Sequence, residues 1–293
     1  MTKKGKIKGL RKRKVVDKGL FVIVCIMSAL TAVPLIAILT KVLIKGIGQI
    51  NWSFFTKSTP NTLDAMLAIQ AGNKIPGGIA NGIVGTLIMV IIASIISIPI
   101  GILCGIYLSE KKQKKFANII RFLSDLLQGT PSIVIGIIIY LWIVVPTKSY
   151  SALAGGISLA VMMIPLIIRS TEETLNMLPS SLKEAGLALG ASYTTTISKI
   201  LLPSGFGGIF TGILLAVSRV IGETAPLMLT ALGSTMISWS LTKPSSSVSL
   251  LIWEFYNDPN LQNMIWSASL FLLIFVLSLN LIAKRITKKW RIS

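Results

Sequence analysis

The chain of 293 residues has no histidine, only two cysteines and only ten acidic residues. Without histidine it lacks the side chain that most often acts as a general base or metal ligand near neutral pH. Cys25 and Cys104 lie inside apolar runs with no CxxC spacing, which argues against a disulfide framework or a zinc site. They read as small apolar residues. No G-x-x-x-x-G-K-[ST] phosphate cradle occurs, so the chain is not expected to hydrolyse ATP itself. With no metal-ligand cluster and one clear mid-span carboxylate, groups for chemistry are scarce. No catalytic residue, metal or cofactor is assigned.

Charge is scarce too. Only 13% of the residues are charged and 53% are hydrophobic, whereas soluble domains carry about a quarter charged residues. The net charge of +19, from 29 Lys and Arg against 10 Asp and Glu, would suit nucleic acid if it were spread over a surface. It is instead crowded into short runs beside long apolar segments, the pattern of a chain in a lipid bilayer. Nucleic acid is therefore not an expected partner.

A helix needs about 20 apolar residues to cross the hydrocarbon. Six segments meet or approach this, at about 20–44, 79–108, 128–146, 150–169, 205–231 and 264–283, with Pro34, Pro99, Pro165 and Pro226 inside spans. The first apolar run is too long for a signal peptide and reads as a retained helix. With the N-terminus inside, the inner segments hold 22 basic residues and the outer segments six, as the positive-inside rule requires. Both termini are then expected in the cytoplasm. The fold class is an all-α, multi-pass integral membrane protein of six helices. The expected organisation is a basic tail (1–18), a first span (19–44), an external loop (45–78), a membrane domain of five helices (79–284) and a basic tail (285–293). Trp52, Phe54 and Phe55 in the external loop form an aromatic set suited to the membrane interface. Gly101 and Gly105 have a small-xxx-small spacing that suggests helix packing.

The connection between the fourth and fifth spans carries the most information. Ser181 and Glu184 have capping-box spacing, so a short helix should begin there. Gly190 offers a left-handed stop, and a second short helix can start at Ser192 and should end near Pro203. Glu184, Ala185, Gly190, Ile200, Leu202 and Pro203 fit the pattern E-A-A, three residues, G, nine residues, I-x-L-P, with Gly186 standing where Ala is usual. This stretch resembles the EAA loop of ATP-binding-cassette importer permeases. The resemblance implies that residues of about 180–203, Glu184, Ala185, Gly186 and Gly190 among them, couple the channel to an ATPase subunit.

In the fifth span Arg219 and Glu223 lie four apart, on one helix face. Gly208, Gly212 and Ala216 precede them on the same stripe, which permits close helix contact. A charge there must face a partner or a wet path, because placing it in lipid costs about 2.5–3.5 kcal/mol or more. Two readings stay open. The pair holds the bundle together, or it lines a translocation route in which the Arg219 fork meets an oxyanion such as phosphate.

Ser218-Arg-Val-Ile-Gly-Glu-Thr-Ala-Pro-Leu227 is similar to the signature of phosphate importer permeases of the PstA type, and Gly129-Thr-Pro-Ser-Ile-Val-Ile-Gly136 to a second motif of that family. Residues 79–284 match a type-1 importer membrane domain, the MetI-like fold. The resemblance implies a permease subunit working by alternating access. It further implies a second, different permease subunit, two ATPase subunits and an external phosphate-binding protein as partners. Arg219 and Glu223 would form the substrate path, with Arg169 and Ser132 as secondary candidates. Arg169 also reads as an inner-edge anchor, and Arg121 with Asp125 as an ion pair along one helix. An importer for a related oxyanion such as phosphonate is the alternative. A stand-alone secondary carrier would need inverted repeats, which the sequence lacks, and a membrane enzyme would need catalytic groups.

Overall fold

The computed structural model describes residues 3–111 and 113–290. The first two and last three residues of the expected tails, and Lys112 and Arg291 among the counted basic residues, lie outside the described residues. Helices dominate: α1 (Lys3–Gly46), α2 (Trp52–Thr56), α3 (Thr62–Gln70), α4 (Ala80–Glu110), α5 (Lys115–Gly129), α6 (Ser132–Ile139) and α7 (Val145–Thr147) make up the first half. The second half comprises α8 (Ala152–Asn176), α9 (Ser180–Ala188), α10 (Tyr193–Thr196), α11 (Leu202–Ile221), α12 (Ala225–Thr230), α13 (Val248–Asn257) and α14 (Gln262–Trp290). Wider π turns join α6 to α7 and α10 to α11.

Among the described residues, five helical runs are long and apolar enough to cross a membrane, and a sixth span arises if α5 and the run Ser132–Thr147 are counted together. These two meet at 105°. The cause is Pro131, which pushes the preceding Thr130 out of the helical region to φ −76°, ψ 131°. The apolar run expected to be continuous from 128 is thus broken at Thr130, and a new helix starts at Ser132. Lys115–Gly129 is a separate helix with Phe116, Ile119, Phe122, Leu123 and Leu126 exposed.

The heart of the bundle is the α4–α8 seam. Side-chain Cβ atoms placed on Gly101 and Gly105 would lie 2.6 Å from Ile167 and 2.5 Å from Thr171, and one on Gly156 would lie 2.7 Å from Ile92. Lipid offers no hydrophobic drive toward helix association, so backbones this close gain their stability from packing. Met89, Ile135, Leu159, Met163, Ile167 and Leu227 build the main core where α4, α6, α8 and α12 meet. α11 joins it along Gly208, Gly212 and Ala216. Gly208 lies against Thr174 and Gly212 against Ser170 of α8, and Ala216 is fully buried.

A second core, around Phe54, Ile79, Leu251, Phe255 and Met264, closes the end of the bundle that carries α2, α3 and α13. Phe54 thus belongs to the interior, whereas Trp52 is 83% exposed. α1 is held mainly through its last turns. Val42 and Gly46 are buried, Gly46 lies against Leu270 and Trp266, and Ser267 Oγ donates to the Gly46 carbonyl at 2.6 Å.

At that same end the half-buried Glu254 lies beside Gly233, whose backbone is left-handed (φ +87°) and so close that an added Cβ would come 2.2 Å from the carboxylate. Burial pushes the Glu254 carboxyl above its ordinary value. An acid whose folded pKa exceeds its unfolded one binds more protons when folded, so stability is lost as pH rises through the folded value. Glu254→Gln should therefore raise the thermal midpoint of the purified protein at neutral pH, and the gain should vanish below about pH 4. An equal gain at both pH values would assign it to something other than ionisation.

Candidate functional site

α11 ends at Ile221, with Gly222 as its C-cap, and α12 begins at Ala225. Pro226 tolerates the first turn of α12, where its missing N–H would bond to nothing. The expected continuous fifth span is thus interrupted at 222–224, and Glu223 sits in the break rather than on the helix face of Arg219. Arg219 Nε and Glu223 Oε1 are 4.0 Å apart, with side-chain exposures of 48% and 19%. That is the outer limit of an ion pair, so Glu223 neutralises Arg219 only in part and leaves its donors free for another acceptor.

Arg219 faces a cavity of about 600 Å³ between α11, α8 and the C-terminal end of α5. Gln128, Arg169, Ser170, Glu173, Thr174 and Thr211 supply its other polar walls, and Gly208, Gly212 and Ala216 its floor. Arg169 Nε binds Glu173 Oε1 at 2.8 Å, and both side chains are more than half exposed. The structure therefore brings Arg169 and Arg219 to one cavity, each with a carboxylate nearby. Ser132 does not line it. It opens α6, which packs on α12 where Gly136 meets Pro226.

Arg121 does not pair with Asp125. Its Nε and Nη2 reach Glu172 Oε1 at 2.8 Å, its Nη1 reaches Asn118, and its Nη2 reaches the Leu108 carbonyl at 3.0 Å. Glu172 is nearly buried, so it recruits the cation that a buried carboxylate needs.

The loop between α8 and α11 forms the expected two short helices, with two differences. α9 starts at Ser180 with Pro179 as its N-cap and no side-chain cap, so the capping box at Ser181 and Glu184 is not formed. α10 does not stop near Pro203. It runs on as one helical stretch, Tyr193–Ile221, because a π turn at Ile197–Leu201 widens the ladder immediately before Pro203 and gives its ring room. Ser192 caps α10, its hydroxyl accepting from Thr195 N–H. Gly190 takes φ +80° and closes α9.

Glu184 and Ala185 are exposed and Gly186 is buried. A Cβ on Gly186 would lie 2.7 Å from Ile200 and 3.1 Å from Thr196, so the loop folds back on its own exit helix at this glycine. Glu110, at the end of α4, ties the loop down. It accepts from Lys183 Nζ and from the Tyr193 hydroxyl, and Lys183 lies 5.0 Å over the Tyr193 ring. No sequence signal marked Glu110, whose partners lie 73 and 83 residues away.

Residues 97–292 match the family of binding-protein-dependent transport system inner membrane components. The chain belongs to that family. Among these inner membrane components it is 39% identical over 258 residues to the phosphate transport system permease protein PstA of Yersinia pestis, covering 87% of this chain and 84% of the relative. Identity to PstA of Haemophilus influenzae is 36%, over 84% of this chain and 85% of the relative. For PstA of Xylella fastidiosa (strain Temecula1) it is 34%, over 94% and 93%. The fold matches the inward-facing MetNI methionine ABC transporter with a TM-score of 0.57 at 20% identity, covering 72% of this chain and 93% of that one. An amino acid ABC transporter matches with a TM-score of 0.53 at 13% identity, over 79% and 99%. The MetI-like fold and the PstA type are thereby established for this inner membrane component, and residues 97–292 contain both Arg219 and the α9–α10 loop.

Proposed function

We propose that the chain is the permease subunit of an ATP-driven importer of inorganic phosphate. It sits in the cell membrane with both termini and the α9–α10 loop on the cytoplasmic side. Its partners are a second, PstC-like permease, two PstB-like ATPases and an external PstS-like phosphate-binding protein. The observation that carries the reading is the meeting of Arg169 and Arg219 on one cavity of a PstA-type chain. Guanidinium forks match a tetrahedral oxyanion bidentately. The adjacent Glu173 and Glu223 keep the cavity from holding the anion too tightly to release it, and they favour a phosphate that still carries a proton to donate.

The power stroke has a path through this chain. Glu184 and Ala185 are presented to the ATPase, α9 is fastened to α4 through Glu110, and Tyr193–Ile221 runs as one helix from the loop to Arg219. Closure of the ATPases pushes α9, and α11 moves with it as a rigid element, turning the cavity from one side of the membrane to the other. Vesicles holding the whole complex with the binding protein should take up radiolabelled phosphate only with ATP, and an excess of methylphosphonate should not compete. Equal competition would reassign the substrate to phosphonates. Uptake by this chain alone, without ATP, would replace the importer by a carrier.

A further inference from the structure

The segment leading into α13 is bound unlike an ordinary connection. Ser245, Ser246, Ser247 and Ser249 are all buried, at 4% exposure or less. They lie in a slot that glycines of α4 open. A Cβ on Gly85 would come 1.9 Å from the Ser246 carbonyl oxygen, and one on Gly82 would come 2.5 Å from Leu251. On the same wall Thr86 Oγ1 accepts from Val248 N–H at 3.0 Å and donates to the Gly82 carbonyl at 2.7 Å.

The hydroxyls form a directed chain. Ser249 Oγ donates its single proton to the Glu223 carbonyl at 2.6 Å. Ser247 Oγ lies 2.9 Å from Ser249 Oγ, and with the Ser249 proton committed, Ser247 is the donor in that contact. Ser247 Oγ in turn accepts from Leu250 N–H at 3.1 Å, capping α13. Hydrogen bonds in such a chain polarise and strengthen one another where water is excluded.

The chain ends in the break at 222–224, on the backbone of the residue whose carboxylate stands 4.0 Å from Arg219. At that separation a small shift of the Glu223 backbone decides whether the carboxylate engages the guanidinium or leaves it bare. The geometry points to Ser249, backed by Ser247, as the positioning residue for the Arg219–Glu223 pair. Through it, the buried segment 245–249 sets how firmly the path holds its anion. The inference rests on the reading above that Arg219 lines the phosphate route.

The test is phosphate taken up per ATP hydrolysed in vesicles holding the full complex and the phosphate-binding protein, with rates taken per assembled complex. Ser249→Ala should lower this ratio about fivefold, and Ser249→Thr, which keeps the hydroxyl, should restore most of it. In a Glu223→Gln background Ser249→Ala should add less than a twofold change, because both act through one carboxylate. A Ser249→Ala ratio within twofold of wild type overturns the proposal, as does a full fivefold further loss on top of Glu223→Gln. Should the alanine variant fail to assemble, Ser249→Cys, close in size and a poor donor, is read by the same criteria. Arg219→Gln separates the two levels of the argument. If it spares uptake, the phosphate route itself is misplaced. If it abolishes uptake while Ser249→Ala is silent, only the serine assignment falls.

Discussion

Arg219→Gln is expected to reduce ATP-dependent phosphate uptake by roughly 10- to 100-fold, since a hydrogen bond to a charged group is worth about 1.5–3 kcal/mol and each 1.4 kcal/mol is about tenfold. The substitution keeps two donors on one nitrogen but shortens the side chain by two atoms and removes its charge and fork. The half-exposed side chain has Glu223 as its ion-pair partner, at 4.0 Å, so assembly with the ATPases should survive, as co-purification from detergent would verify. Arg219→Lys should fall between, because an ammonium keeps the charge without the planar pair of donors. The comparison with Arg169→Gln is informative. Arg169 is already satisfied by Glu173 at 2.8 Å, so its loss should cost less than that of Arg219. Uptake by Arg219→Gln within twofold of wild type would remove this guanidinium from the route.

Glu110→Ala should uncouple the machine. One carboxylate holds both Lys183 of α9 and Tyr193 of α10 against the end of α4, and its side chain is only 13% exposed. Removing it deletes charge-assisted contacts of about 1.5–3 kcal/mol each and leaves Lys183 without its anion. The loop would then yield under the ATPase instead of moving α11. The expected result is phosphate uptake lowered on the order of tenfold while ATP hydrolysis continues, so that phosphate moved per ATP falls. Glu110→Gln, which can still accept from both partners, should show a milder fall. If uptake and hydrolysis drop in step, this tie takes no part in transmission.

Much of this was readable from the sequence because the relevant signals are local. Apolar run length gave the spans. The spacing from Glu184 to Pro203 marked the α9–α10 loop, and an arginine inside a span marked the cavity. What escaped was set by partners distant in the chain or by single prolines. Pro131 turns the chain by 105°, which an apolar-run count cannot register. Pro203 was expected to end a helix and instead follows a π turn that lets the helix continue past it. Arg121 had an acid four residues on, yet it chose Glu172, because a nearly buried carboxylate competes for a cation far better than a solvated one. By composition alone the serine-rich segment 245–249 carries no sign of burial. Only the slot at Gly82 and Gly85 of α4 reveals it as interior.

The attachment of α1 has a consequence for motion. Its apolar stretch touches little of the protein until Val42 and Gly46, so it stands beside the bundle like a mast stepped at one end. When the other helices rock, no tightly fitted seam along α1 must be torn and remade. The foot at Trp266 and Leu270 can act as a pivot that keeps the mast aligned while the hull turns.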